Sequence, residues 1–482
     1  MNYTPVIGLE IHCELSTAQK MFCNCQNSFG GKENTRVCPI CSGFPGTIPN
    51  LNKEAVNLAI KAGIITNCTI NQYSAFDRKN YFYPDLPKAY QITQFYKPIC
   101  TNGYMDISTN KRIRIREIHI EEDAGKLIHS GEKNLSEIDF NRCGVPLIEI
   151  VTEPDFSNAD EVIEFVEKIA LDMKYAEVSD SKMQEGSLRV DVNISITKEN
   201  SNILGTRAEI KNINSFKSIK KAIEYEIERQ SKLLDNNENV IQETRRFDEK
   251  TSKTYSMRSK ETLSDYRYFP EPDIPAIILS DNDINSIEKT LPKMPQSRFN
   301  FYVSIGLSEY EANLLIQNKN FSDFYDTAIS FYDNYKAICN LMLGELNRCL
   351  NETGDSIDNL KFSPSDLAEL IKMNDDGLIS KNSVKDILRI MFYSGGTPLT
   401  IAQNNSFILE NDTKKISEHI DKILSKNPDA IMQYKNGDCK VFGFLMGEAM
   451  RSYGNSANPK LIKEILMNKL VDIPTKNWYN LI

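Results

Sequence analysis

The chain has 482 residues, 40% hydrophobic and 26% charged, with a formal net charge of −9. Such a composition supports several buried cores, and the length suggests two to four domains. The negative balance excludes a generic nucleic-acid binder, and no apolar run approaches the roughly 18 residues of a membrane span. Met1-Asn-Tyr-Thr-Pro5 enters a strand without a basic segment and apolar leader, so no secretory signal and a cytoplasmic location are expected. The charge is uneven: residues 396–482 carry 11 Lys+Arg against 9 Asp+Glu. If the chain touches nucleic acid, that segment is the place to look.

Residues 6–15 alternate strictly, which predicts a strand. Ile7, Leu9, Ile11, Cys13 and Leu15 form one face. Gly8, Glu10, His12 and Glu14 form the other, with successive side chains about 7 Å apart. A Glu-x-His-x-Glu row opposite an apolar face suits a metal, although a single strand histidine is more often structural. Cys23, Cys25, Cys38 and Cys41 follow as C-x-C-x12-C-x2-C. Two close cysteine pairs in a cytosolic chain read as a four-thiolate structural Zn²⁺ site within a turn-rich insertion at 23–41. The alternative is four thiols that merely pack.

Residues 51–65 have the spacing of an amphipathic helix. Between 73 and 98 the chain is rich in aromatics and proline, with Arg78, Lys79 and Lys88 interleaved. Such a loop can stack a nucleotide base and clamp phosphate, or it can be a rigid loop packed by its own rings. The next strand runs through Ile113, Ile115, Ile118 and Ile120 and changes phase between Ile115 and Ile118, which predicts a bulge near Arg116-Glu117. The new phase places Glu122 on the isoleucine face. A buried carboxylate is costly unless paired or metal-bound, so Glu121, Glu122 and Asp123 read either as a site for a hard cation or as an acidic turn.

Val145–Val151 is apolar on both faces except for Glu149. A helix is predicted from about Ser157-Asn158, with Asp160 and Glu161 in its first turn. Strands follow at 187–196 and 207–213, with ionic rows Arg189, Asp191, Asn193 and Arg207, Glu209, Lys211. A helix is predicted over about 215–235, and a proline-punctuated stretch over 243–275 closes this part. From about 295 the pattern is helical. Ser308-Glu-Tyr-Glu311 is a capping box, Ser363-Pro364 is an N-cap followed by proline, and Ser394–Pro398 is a break. The chain has no G-x-x-x-x-G-K-[ST] loop, no G-x-G-x-x-G after a strand and no G-x-S-x-G turn. Any ATP is therefore expected on a sheet, held by metal and basic side chains, and no motif for generating an amine is seen.

Several segments together resemble one family, GatB of the bacterial Asp/Glu-tRNA amidotransferases (GatCAB). They are Val6–His12, Met21–Cys25, Val37–Cys41, His119–Lys126, Gly144–Asp155, Gly186–Ser195, Glu209–Phe216 and Met257–Lys260. Gly443–Gly447 and Gly454–Pro459 extend the likeness toward the C-terminus, and Gly396–Gln403 departs from it. The resemblance implies an α+β fold: a mainly antiparallel-sheet cradle over 1–292, a helical domain over 293–395 and a small helical C-terminal domain over 396–482 that touches tRNA. It implies ATP-dependent transamidation of Glu-tRNA(Gln) or Asp-tRNA(Asn), with ammonia supplied by an amidase partner (GatA) and a small third protein (GatC) completing the complex. His12, Glu122 and Glu149 are then expected to hold Mg²⁺, with Glu10 and Asp191 at a second metal or orienting the first. Arg189, Arg207 and Lys211 are expected at phosphate. A rival reading is a tRNA-presenting scaffold without its own kinase chemistry.

Overall fold

The computed structural model describes residues 3–108, 111–130, 135–198, 203–259, 263–453 and 458–472. Lys260 and residues 454–457 of the resembling segments lie outside them. The chain divides into two compact units, Met1–Pro295 and Gln296–Ile482. No helix among the described residues is long and apolar enough to cross a membrane.

The first unit is built on a nine-stranded sheet. Its strands are β1 (Tyr3–Glu14), β2 (Thr69–Ile70), β3 (Cys100–Asp106), β4 (Arg112–Glu122), β5 (Pro146–Thr152), β6 (Leu188–Lys198), β7 (Ala208–Lys211), β8 (Glu243–Asp248) and β9 (Lys253–Ser259). The spatial order is β9-β8-β7-β6-β1-β5-β4-β3-β2. Neighbours are antiparallel except β7 and β8, which run parallel. The first predicted strand is therefore the centre of the sheet.

One face of the sheet is apolar because the alternating residues of each strand are. Ile7, Leu9, Ile11, Ile118, Ile120, Ile148, Ile150, Val190 and Val192 are buried there. Helices α1 (Lys53–Ile65), α2 (Ala159–Tyr175) and α3 (Phe216–Asp235) contribute Ala59, Phe165, Ile169 and Ile223 to the same core. Each helix begins where a polar side chain satisfies free backbone N–H groups. Asn52 accepts from Glu54 N, Asn158 from Glu161 N and Ser215 from Ser218 N. With the helices on one side, the ionic rows are left together on the other.

The predicted bulge lies at Arg116. Thr152 pairs with Ile115 and Val151 with Glu117, so Arg116 has no partner in that ladder. The extra residue reverses the phase of β4. Ile118 and Ile120 keep to the core, and Glu117, His119 and Glu121 turn to the ionic face.

The second unit is helical. A capping box at Ser308/Glu311 starts one of its helices, as expected, and the expected N-cap Ser363 forms a second box with Asp366. Its described residues form two apolar cores. One runs from Tyr302 to Ala402 and the other from Ile416 to Leu470.

Candidate metal and nucleotide site

Cross-strand register decides which ionic residues meet. His12 of β1 lies opposite Glu149 of β5 on one side and Arg189 of β6 on the other. Glu149 in turn lies opposite His119 of β4. This gives one row, Arg189–His12–Glu149–His119, with Glu121 two residues beyond His119 on the same face.

His12 Nε2 is 3.5 Å from Glu121 Oε1 and 3.5 Å from Glu149 Oε2. One ligand atom from each of the three lies within 4.8 Å of the others, a spacing that one ion can bridge. The electrostatics are those of crowded, buried negative charge. Burial and the Glu149 carboxylate raise the Glu121 pKa. Burial also opposes ionisation of Glu149, but His119 and His12 overcome it and hold that carboxyl well below its usual range. Burial depresses the His12 pKa, and the Glu149 and Glu121 carboxylates together more than reverse the effect. One imidazole and two carboxylates suit a divalent cation of the Mg²⁺ or Mn²⁺ type, which favours oxygen donors and keeps positions for water and phosphate.

Glu122, expected beside His12, is not in this group. It lies on the opposite face, 2% exposed, where Lys88 donates to it and Ile92 N donates to Oε1 at 3.1 Å. Glu122 is buried, as expected, and Lys88 is the cation that faces its carboxylate here. Glu121 takes the place by His12, because neighbouring residues of a strand face opposite ways.

A second acidic group joins Glu10, Asp191 and Glu209. Burial and then Glu149 raise the Glu10 pKa, and Asn193 Nδ2 donates to Glu10 Oε1 at 3.0 Å. Lys211 sits inside this group, ion-paired with Asp191 and 3.0 Å from Glu209 Oε1. It serves as a counter-ion there and is not free for phosphate. Arg189 is likewise engaged, donating to Asp123 Oδ2 at 2.8 Å. Arg207 is exposed. With Arg116, Gly8, Glu10, Asn193 and Thr206 it lines a cavity of about 540 Å³ beside the second acidic group, within the usual range for small-molecule sites.

The aromatic loop packs against residues 266–271. Phe95 stacks on Tyr268 at 4.2 Å, Lys79 lies 4.9 Å from the Tyr266 ring centre, and Arg78 Nε donates to Glu271 at 2.6 Å. Phe82 and Tyr83 remain exposed.

The four cysteines of the insertion converge, with their sulfurs within 4.8 Å of one another. The hydrogen bond from Cys23 leads in pulling the Cys41 thiol down to about 4 against its burial, aided by the Cys38 backbone and Lys20. Lys20 is 1% exposed, with Nζ 3.7 Å from Cys41 Sγ. Soft thiolates in this number and spacing fit a structural Zn²⁺. Gly144 connects the insertion to the sheet: its φ of +83° suits glycine, and an added Cβ would lie 3.6 Å from Cys41 Cβ and 3.9 Å from Glu122 Oε2.

In the sequence Glu121 stands out only as one of three carboxylates of a candidate cation site and Glu209 only as a member of an ionic row, and His119 is given no role. Each had a signal in its strand alternation, Glu117-x-His119-x-Glu121 after the bulge and Glu209-x-Lys211.

Known proteins share the sequence of both units. Residues 5–285 match the GatB/GatE catalytic domain and residues 323–470 the GatB domain. Among relatives, the chain is similar to the B chains of aspartyl/glutamyl-tRNA(Asn/Gln) amidotransferases. It is 48% identical over 480 residues to that of Caldicellulosiruptor bescii, covering 98% of this chain and 100% of the relative. The protein of the same name from Ruminiclostridium cellulolyticum is 48% identical over 480 residues, covering 98% and 99%. That from Clostridium tetani is 45% identical over 478 residues, covering 98% and 100%. With a catalytic-domain match over more than half its length and relatives aligned almost end to end, the chain belongs to the GatB family.

Proposed function

We propose that the chain is the part of a glutamine-hydrolysing aminoacyl-tRNA amidotransferase that activates the misplaced amino acid of Glu-tRNA(Gln) or Asp-tRNA(Asn). The observation that carries this reading is the convergence of His12, Glu121 and Glu149 from three strands, on the sheet face whose neighbouring carboxylate, Glu10, lines a cavity of about 540 Å³. Ammonia cannot displace oxide from a carboxylate, so the side chain must first gain a leaving group. A carboxylate oxygen of the tRNA-bound residue attacks the terminal phosphorus of ATP, and ADP departs. Ammonia then attacks the acyl carbon, phosphate leaves, and loss of a proton gives the amide.

His12, Glu121 and Glu149 would hold Mg²⁺, which when bound neutralises charge on the transferring phosphoryl group. Arg207 and Arg116 flank the cavity where the nucleotide's anionic groups would lie. Lys211 offsets one charge of Glu10, Asp191 and Glu209, and that second group would hold a second ion or orient the first. The four cysteines would hold Zn²⁺ and fix the insertion. Ammonia comes from an amidase partner, GatA, with the small protein GatC completing a cytoplasmic heterotrimer. We assign tRNA contact beyond the cradle to the helical C-terminal part, residues 396–482, which alone carries a positive balance.

The test uses the assembled complex with Glu-tRNA(Gln), ATP and Mg²⁺ but no ammonia donor, adding hydroxylamine to trap the acyl phosphate as a hydroxamate. The wild type is expected to give tRNA-dependent ADP and an ATP-dependent side-chain hydroxamate, and Glu149→Gln neither, above the ATP-independent hydroxamate that hydroxylamine forms from the aminoacyl ester. Undiminished ADP and hydroxamate from Glu149→Gln would refute the reading and leave a tRNA-presenting scaffold.

A further inference from the structure

We propose that His119 is a positioning residue of the metal site: it fixes the Glu149 carboxylate from behind and is not itself a ligand. The proposal rests on the metal reading above.

His119 is 9% exposed and stands directly opposite Glu149 in the β4–β5 ladder. Its Nε2 lies 3.1 Å from Glu149 Oε2, a hydrogen-bond distance. Glu149 Oε2 also lies 3.5 Å from His12 Nε2. One carboxylate oxygen therefore sits between two imidazoles, one on each flanking strand. The two imidazoles are not equivalent. His12 stands midway, 3.5 Å from both Glu121 Oε1 and Glu149 Oε2, whereas His119 lies closest to Glu149, at 3.1 Å. Its Nε2 is 3.9 Å from Glu121 Oε2, and its Nδ1 is turned to Glu117, 3.6 Å from Oε1, where it is buried without a hydrogen bond. The imidazole is thus held between Glu117 and Glu149, and its one contact at hydrogen-bond distance with the first group is to Glu149 Oε2.

That placement has a physical consequence. A glutamate carboxylate rotates broadly about its last torsion. A donor fixed across the ladder restricts that rotation and presents the carboxylate toward His12 and Glu121. Partners that hold a metal's ligands typically cost 10- to 100-fold in affinity when removed. The groups facing His119 are Glu117 and Glu121 on its own strand and Glu149 on the neighbouring strand.

The experiment uses the purified complex with Mn²⁺ as a paramagnetic probe. Binding is followed by electron paramagnetic resonance, and coordinated imidazole nitrogens are counted by spin-echo modulation. The wild type is expected to show one imidazole nitrogen, which His12→Ala removes. His119→Ala is expected to weaken Mn²⁺ binding by about 10- to 100-fold while the one-nitrogen signal persists at saturating ion. His119→Gln keeps a donor and is expected to recover most of the affinity. Two nitrogens in the wild type, or unchanged binding by a folded His119→Ala protein, would overturn the proposal. If His119→Ala does not fold, the wild-type nitrogen count and the His119→Gln affinity decide. A wild type that shows no His12-dependent nitrogen would instead sink the metal reading itself.

Discussion

Glu121→Gln and Glu122→Gln form a paired test, because the two residues adjoin in one strand and meet opposite partners. Glutamine conserves volume and removes one charge. At position 121 the lost charge is one of two carboxylates grouped with His12. Removing one member of a buried ionic set costs roughly 3–5 kcal/mol. At 1.4 kcal/mol per decade this is a loss of roughly 10²- to 10⁴-fold in metal affinity. Without metal the sign reverses. Burial and Glu149 raise the Glu121 pKa, so its ionised form works against folding as pH rises through the raised value, and the neutral amide relieves that cost. Glu121→Gln should therefore melt higher than wild type in EDTA at pH 8. At position 122 the lost charge is the partner of Lys88, whose side chain is 11% exposed. Glu122→Gln should lose roughly 3–5 kcal/mol of stability and leave the half-saturating Mg²⁺ concentration little changed. The assay is a Mg²⁺ titration of tRNA-dependent ADP release by the complex, with melting of the full chain in EDTA. A larger rise in half-saturating Mg²⁺ for Glu122→Gln than for Glu121→Gln would refute the division of the two faces.

Asp172 in α2 is pushed up to about 7, chiefly by burial. A folded pKa above the unfolded one gives stability that is complete below about pH 4 and lost as pH rises to 7. Asp172→Asn should thus stabilise by a few kcal/mol, on the order of 1.4 per pKa unit, at pH 8 and hardly at pH 4, as read by urea midpoints at the two pH values. The assembled protein should carry about one zinc per chain, lost in Cys23→Ser and Cys41→Ser. It should be retained in Cys143→Ser, whose sulfur donates to Cys41 O at 3.2 Å but lies outside the group; elemental analysis checks this. Gly63→Ala would place a Cβ 2.4 Å from Cys100 Sγ and 2.6 Å from Ile70 Cδ1. It should cost about 1–3 kcal/mol by overpacking, seen as a lower urea midpoint at unchanged slope.

Local pattern carried much of the fold. The alternation of Ile7, Leu9 and Ile11 marked a strand that the sheet order makes the central one, the phase change after Ile115 located the bulge, and Ser308 and Ser363 marked helix starts that the structure contains. The partners of charged groups were not legible, because they come from distant strands and loops. Glu122 is neutralised by Lys88, which lies 34 residues earlier in the chain. Lys211 reaches Asp191 from the next strand, and nothing in Arg207-Ala-Glu-Ile-Lys211 announces it. A buried carboxylate in sequence signals only that some cation must be near. Whether that cation is a lysine or a metal depends on register and on loops.

The bulge at Arg116 makes the site possible. Strand periodicity is two, so one extra residue exchanges the faces of everything beyond it. Upstream, Ile113 and Ile115 already point into the core. Continued without interruption, that phase would send Glu117, His119 and Glu121 inward with them, toward the buried side of a sheet that α1 helps to cover. Three ionisable groups would then be buried among isoleucines. The extra residue instead returns Ile118 and Ile120 to the core and delivers His119 and Glu121 to the face where Glu149 and His12 wait. The apolar demand of the core and the ionic demand of the site are thus both met by one unpaired residue, and the same shift leaves Glu122 inside, where Lys88 is needed to hold it.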